Sequence, residues 1–592
     1  MKTIARLTLF VCLLATAALA AGPAPAPVNS TEQLLHVTDE VGRYGGRLVI
    51  GQRAEPKTLN PVTATDAVSR EVIGRCNADL ISINRLTQKT EPALAESWKT
   101  SADGKSFTLH LRKGIRFSDG QAFDADDVVF SFQLYLDENV GSPQRDLLAI
   151  DGKPLAVTKL DQYTVRFTLP KPYAAAERLF DGLAMLPKHL LAAPYKGGRF
   201  AEMWSLNTPP SEIAGLGPFR LKQYIAGQKL VLERNPYYWK ADRENHRLPY
   251  LDELVFLFVG SEDQQVMRFE AGETDLISRL SAENYALLTK DQSRQGWQLA
   301  DLGPSLEYNF LVFNLNDVDP KKLGDLANKQ SWFRDLKFRQ AVSEAIDRDS
   351  IVKLVYGARG TALWENVGPG NKLWVDNSIP HPQRSLENAR QLLKSAGFSW
   401  NSSGQLLDAS GKQVEFSIVT SSSNTQRMKM ATLVQDDLSH LGMQVHVVPL
   451  DFRAMLDRVF QSFDYEAAIM GLGGGDPDPN PEMNVWLSNG ATHIWHLNEA
   501  KPATPWENEI DQLMQEQMVT LSYAKRKRLY DRVQELIAQN LPFIFLATPD
   551  VLVGAKGQIG NFHPAVLDHY TLWNADELYL RQNSGVERAG LR

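Results

Sequence analysis

The sequence predicts an α/β protein of two or three domains, and three observations lead there. Strand and helix patterns alternate through residues 414–470, in the order strand, helix, strand, helix, strand. The chain has 592 residues, more than one hydrophobic core organises. Its composition, 43% hydrophobic and 22% charged, is that of an ordinary globular protein.

The first twenty residues read as an export signal. Lys2 and Arg6 form a basic start, residues 7–19 carry no charge, and Ala18-Leu19-Ala20 is a small-residue cleavage site. The cut is expected after Ala20, leaving a soluble mature protein in the periplasm. The apolar run is too short for a membrane span of about 20 residues. Val11 before Cys12 is not the small residue that lipid attachment favours, so no lipid anchor is expected. Cys76 is then alone in the mature chain, with no intramolecular disulfide open to it, and reads as a buried, inert thiol. Loss of Lys2 and Arg6 leaves the mature chain more acidic than the net −7 of the whole. The one basic cluster, residues 525–528, sits on a helical pattern and reads as a solvated face; nucleic acid and anionic lipid are not expected partners.

Residues 21–27 read AGPAPAP, a stiff linker, with order expected from about Gly42. Residues 45–51 form a glycine-bounded strand, and residues 107–112 alternate as a half-buried one. Asp124 caps a helix over residues 128–136. Residues 163–169 alternate again, and residues 182–191 read as a loop entering a short helix. Two strands flank Ala226-Gly227 as a hairpin, followed by a strand at 254–259 and a helix at 262–271. From Tyr308 strands alternate with longer helices. Residues 334–346 place Phe338, Val342, Ala345 and Ile346 on one stripe. Asp349 caps a helix that runs through Tyr356 to Gly357. A long loop, 360–382, separates this helix from the α/β layer: strand 414–419, helix 425–441, strand 445–450, helix 452–460, strand 465–470. Ligands in such layers sit at loops on strand ends, and the loop 471–481, GLGGGDPDPNP, is the most conspicuous in the chain. Twelve Trp and seventeen Tyr suit a core, and also a cavity that grips apolar ligand parts.

No catalytic pattern emerges. Asp103-Gly104-Lys105-Ser106 lacks the upstream glycine of a phosphate loop, and no nucleophile elbow or zinc-protease pattern is present. Close carboxylate pairs must occur by chance among 70 acids, and nothing singles out a glycosidase dyad. His493 and His496 form the closest histidine pair, but without a third ligand they read as surface or cavity histidines. Asp476-Pro477-Asp478 is acidic, but its prolines break any regular calcium-loop spacing. No metal, cofactor or catalytic residue is expected.

Five stretches together resemble family 5 extracellular solute-binding proteins, the dipeptide- and oligopeptide-binding subunits of bacterial ABC importers. They are EPKTLNP at 55–61, the 41 residues from Pro92 to Phe132, GLGPFRLKQY at 215–224, LERNPYYWK at 232–240 and FRQAVSEAIDRDSIV at 338–352. The resemblance implies a two-lobed, three-domain clamshell: signal peptide 1–20 and linker 21–41; domain I from 42–83, 205–303 and 541–592; domain II from 84–204; domain III from 305–540. It implies a monomeric, non-enzymatic protein that captures a peptide between its lobes and delivers it to an inner-membrane permease. Relatives also take oligosaccharides, opines and metal chelates, and the residues alone leave open a secreted hydrolase or a periplasmic chaperone.

In the family the peptide lies as an added strand between two loops. These correspond here to residues 54–60, with Glu55, Pro56, Leu59 and Asn60, and to Gly471, Leu472, Gly473, Gly474, Gly475 and Asp476. Two departures stand out. Leu472 replaces the family tryptophan, and the family aspartate that pairs with the ligand ammonium has no clear counterpart. Asp476 is the nearest carboxylate. It is expected either to meet the ammonium or to cap a turn through its own backbone.

Overall fold

Alternating side chains make many strands of this protein, and the largest group of these strands joins one sheet. The computed structural model describes residues 22–150, 152–473 and 475–581. The expected signal peptide and its expected cleavage site, and Gly474, lie outside the described residues. Among the described residues no helix is long and apolar enough to cross a membrane.

Twelve strands form the main sheet. Its first half runs Phe219–Ile225, Lys229–Arg234, Glu253–Phe258, Arg47–Gln52 and Leu276–Ile277. The hairpin turns at Gly227, whose φ of +67° suits glycine. The second half runs Tyr308–Phe313, Ala467–Leu472, Glu415–Ser421 and Gln444–Leu450. The last two pair in parallel, with helix Thr425–Ser439 between them in sequence, as the α/β layer requires. A separate four-stranded sheet contains Ser106–Leu111 and Thr164–Thr168.

One strand unites the halves. Phe543–Ala555 pairs through Phe543–Ala547 with Tyr308–Phe313, and through Asp550–Ala555 with Gln298–Pro304. Two adjacent antiparallel segments therefore cross between the halves, near Ser305 and Thr548. The Ser305 N–H donates to the Pro549 carbonyl (2.9 Å), and the two hydroxyls lie 2.9 Å apart. Phe543, Ile544, Phe545, Leu546 and Ala547 belong to the second core. The return crossing thus lies inside a strand, several residues beyond the boundary expected at Leu541. Continuous ladder pairing explains why no composition shift marks it.

Apolar burial falls into two large clusters. One joins residues from Leu34 to Leu276 with the C-terminal residues from Ala555 onward; the other spans Tyr308 to Ala547. The first is continuous across residues 84–204, so the expected domain II shares a core with domain I. Residues 22–41, within the segment expected as a stiff linker, are docked on this lobe. The Pro23 and Ala26 carbonyls accept from Arg234 and Arg247, and Glu32 pairs with Arg247 at 2.7 Å. A proline-rich segment has few N–H groups to satisfy and many carbonyls to offer, which suits it to buried guanidinium groups.

Local capping moves several helix ends. Asp124 and Asp127 form a reciprocal capping box for Ala125–Leu136. The stripe at 334–346 splits at Asp335, whose carboxylate accepts from Lys337 N–H (2.7 Å) and starts Leu336–Ala345. Asp347, not Asp349, caps Arg348–Tyr356 by accepting from Ser350 N–H at 2.9 Å. Gly357 ends that helix with φ +58°. Cys76 is free, and burial pushes its thiol up to about 12. Thiol-reactive dyes at pH 8 are therefore expected to label it only on unfolding. Rapid labelling of native protein would contradict this.

Candidate functional site

Helix Ala67–Cys76 opens on an Asp66 cap and packs beside the C-terminal segment, where it walls a cavity of about 210 Å³. Arg75, Asp79, Arg85, Asp181, Lys240 and His569 all line it, beside Trp239 and Trp573. Charges of both signs thus share one space. Arg85 is bonded to Asp181 at 3.1 Å. Glu71 lies at 2.6 Å from His569 Nδ1; burial acts to raise its carboxyl, but His569, Arg75 and Arg85 outweigh this and hold it at about 2.

Asp79 behaves in the opposite way. Its accessible surface is on the cavity wall. Burial, reinforced by the Asp181 charge, pushes its carboxyl up to about 7, and the Gly182 N–H and Arg85 offset this only in part. A cation entering the cavity would relieve that penalty.

The two sequence-predicted loops fare differently. In the first, Glu55 accepts from Tyr224 Oη (2.7 Å) and Gly227 N–H (2.9 Å), so it clips the hairpin turn at the surface. Pro56 and Leu59 are buried, and Asn60 donates to the Phe200 and Met203 carbonyls. None of these four lines the cavity, whereas the next residue, Pro61, does.

The second loop reaches across the lobes. Gly471 and Leu472 pair with Asn309 and Tyr308. A Cβ on Gly471 would lie 2.2 Å from the Arg427 guanidinium, so a side chain there would have to displace it. Gly473 has open space around it, and Gly475 faces Asp568, the neighbour of the cavity residue His569. Asp476 accepts the Asp478 N–H at 2.9 Å, the turn expected of Asp before Pro. It also receives the Arg178 Nε at 2.7 and 2.9 Å on its two oxygens. Arg178 belongs to the first lobe, so this pair spans the lobes.

Other contacts cross beside it. Gln88 is fully buried with φ +62°, an uncommon conformation for a non-glycine residue. Its amide donates to Gly370 O (2.8 Å) and its oxygen accepts from Lys372 N–H (3.0 Å). Ala174 N–H donates to Met518 O at 2.7 Å. Nearer the crossing strands, Glu307 lies 3.8 Å from Arg279 and 3.5 Å from Arg427.

Sequence reasoning missed Asp79, Arg85, Asp181, Arg178 and His569. Arg85 and Asp181 are 96 positions apart, and Arg178 and Asp476 are 298 apart, so no local pattern could pair them. The expectation for the histidine pair also changes. His493 is fully buried, and Glu499 and Glu507 converge on it.

Comparison with known proteins agrees with this architecture. The family model described as bacterial extracellular solute-binding proteins, family 5 middle, matches residues 89–493. A probable ABC transporter-binding protein of Deinococcus radiodurans is 28% identical over 516 residues, covering 84% of this chain and 85% of the relative. The oligopeptide-binding protein AppA of Bacillus subtilis is 26% identical, covering 88% and 90%. The fold matches the crystal structure of the ABC transporter substrate-binding protein CtaP of Listeria monocytogenes, with TM-score 0.73, 22% identity, and 91% and 100% coverage. The family match over residues 89–493 leads to one conclusion, with which the fold agrees: this chain belongs to family 5 of the bacterial extracellular solute-binding proteins, the solute-binding proteins of ABC importers.

Proposed function

We propose that this protein captures a short peptide outside the cytoplasm and delivers it to a membrane permease, and that the peptide's ammonium group is neutralised by Asp79. One observation carries this reading: the half-buried Asp79 carboxylate lines a cavity of mixed charge, where desolvation and the Asp181 charge together raise it. A zwitterionic ligand offers what the site lacks, a cation for Asp79 and an anion for basic groups such as Arg75 and Lys240. The volume is below the ~300–1,000 Å³ usual for drug-sized ligands, which favours a short one. The oligopeptide-binding name of the Bacillus relative supports the same ligand class. Trp239 and Trp573 line the wall as a sugar site would require, but carboxylates stand beside them and favour the peptide.

In this reading residues 84–204 form the second of three domains, and Asp476 serves as a clasp. Its pair with Arg178, and the Gln88 contacts, hold the second lobe against the first, which lines the cavity. The crossing segments at Ser305 and Thr548 are the hinge.

Mass spectrometry of freshly purified protein under native conditions should find a bound peptide. Calorimetry should then show that N-acetylated versions of that peptide bind far more weakly. Equal binding of acetylated and free peptides would refute the Asp79 assignment, and a co-purifying sugar would refute the ligand class. At about 100 times its dissociation constant the peptide should stabilise the fold by about 2.7 kcal/mol, and small-angle scattering should show compaction.

Asp476→Asn keeps the turn acceptor but weakens the Arg178 pair. It should lower peptide affinity by roughly 1–3 kcal/mol, the worth of a charged hydrogen bond, and leave the unliganded protein more open by scattering. Wild-type affinity together with an unchanged radius would remove the clasp.

A further inference from the structure

A second site lies inside the other lobe, away from the cavity. His493, Glu499 and Glu507 come from the loop before helix Pro505–Val519 and from its first turn. All three are buried: His493 is 0% exposed, Glu499 8% and Glu507 3%. Their ligating atoms all lie within 4.8 Å of one another.

The hydrogen bonds around them decide which atoms face inward. His493 Nδ1 is 3.0 Å from the Val485 carbonyl, which can only accept, so Nδ1 carries the hydrogen. In the neutral ring Nε2 then holds a lone pair. Among the described residues this Nε2 has no hydrogen-bond partner. It points toward Glu507 Oε1 at 3.8 Å, too long for a hydrogen bond from a protonated ring. Glu507 is held from outside, by Thr504 Oγ1 on Oε2 (2.7 Å) and Trp495 Nε1 on Oε1 (2.9 Å). Glu499 accepts the Ala503 N–H on Oε2 (3.1 Å), leaving Oε1 inward against His496 Nδ1.

Three electron-pair donors thus converge in the interior, each oriented by an outer hydrogen bond. That is how metal ligands are held. Ligands at about 2.0–2.2 Å from a tetrahedral ion sit about 3.4 Å apart, so the His493–Glu507 pair at 3.8 Å needs only a slight contraction, and the other separations, all within 4.8 Å, close by side-chain rotation. We propose that His493, Glu499 and Glu507 bind a divalent first-row transition ion, zinc foremost, since imidazole and carboxylate together suit that class. The ion would be structural. It would tie the loop bearing His493 and Glu499 to helix Pro505–Val519, beside Trp495, whose ring packs on His493 and whose N–H bonds Glu507. The site is independent of the peptide reading.

The test uses the full mature chain, stripped with a chelator and then titrated with zinc chloride. One equivalent should bind and raise the melting temperature by several degrees, with saturation. His493→Gln and Glu499→Gln should each lose this saturable shift, while His446→Gln, on the exposed rim of the sheet, should keep it. Binding of one equivalent that survives both substitutions would place the ion elsewhere and overturn the proposal, as would no binding at one equivalent. Should the variants fail to fold, X-ray absorption on the zinc-loaded wild-type chain decides. One imidazole and oxygen ligands at about 2.0–2.2 Å are expected, and a spectrum without imidazole overturns the site.

Discussion

Asp478→Ala is expected to cost about 3–5 kcal/mol of stability, the usual penalty for stranding one member of a buried ion pair. The side chains of Asp478 and Arg526 are 4% and 6% exposed. The guanidinium donates to both carboxylate oxygens, Nη1 to Oδ2 at 3.0 Å and Nη2 to Oδ1 at 2.9 Å. It also donates to Gln517 and lies 4.8 Å over the Trp374 ring, so it cannot turn to solvent without breaking that packing. Removing the carboxylate leaves a buried charge with only neutral partners. Chemical denaturation should read the loss directly. A double variant with leucine at 478 and methionine at 526 should recover much of it, because no charge then remains to be solvated. A cost below about 1 kcal/mol for Asp478→Ala would mean that the pair is open to water. The Asp478 carboxylate also accepts the Asn480 N–H at 3.0 Å and so orders the loop that carries Asp476. Residual peptide binding should therefore fall in the same variant.

Asp79→Asn should have two effects of opposite sign. Burial and the Asp181 charge push the folded carboxyl up to about 7 from its ordinary 3.8. Between those values the native state holds a proton that the unfolded chain has lost, so this group makes the unliganded protein less stable as pH rises from about 4 to 7. Asparagine carries no such charge, and the variant without ligand should be more stable than wild type at pH 7. Peptide binding should move the other way. An ammonium group needs the ionised carboxylate, so its loss should weaken binding by roughly 2–5 kcal/mol. Wild-type affinity should rise from pH 5 to pH 8, with protons released on binding and an enthalpy that depends on the buffer. The variant should lose the proton release. Unchanged affinity and unchanged proton release in Asp79→Asn would move the ammonium site elsewhere.

These experiments separate what the chain encodes locally from what folding assembles. Alternation at 107–112 and around Ala226-Gly227, the acidic cap at Asp124, and the strand–helix order of 414–470 all depend on neighbours a few positions apart. They were legible because the period of the apolar residues and the capping chemistry act over one or two turns. The family was legible for a related reason: the stretch from Pro92 to Phe132 is long and keeps its order. Boundaries were less so. The Pro/Ala segment reads as a linker until Arg234 and Arg247 are placed beside its carbonyls.

The sequence by itself determined the fold class and the family, and left Asp476 between a turn and a ligand contact. Only the tertiary structure decided which charges share the cavity, that Asp476 also meets Arg178 across the lobes, and that two glutamates approach His493. A charge's consequences depend on its dielectric surroundings and on partners within a few ångströms. For Arg178 and Asp476 that partner is 298 positions away, a distance over which sequence pattern carries no geometry.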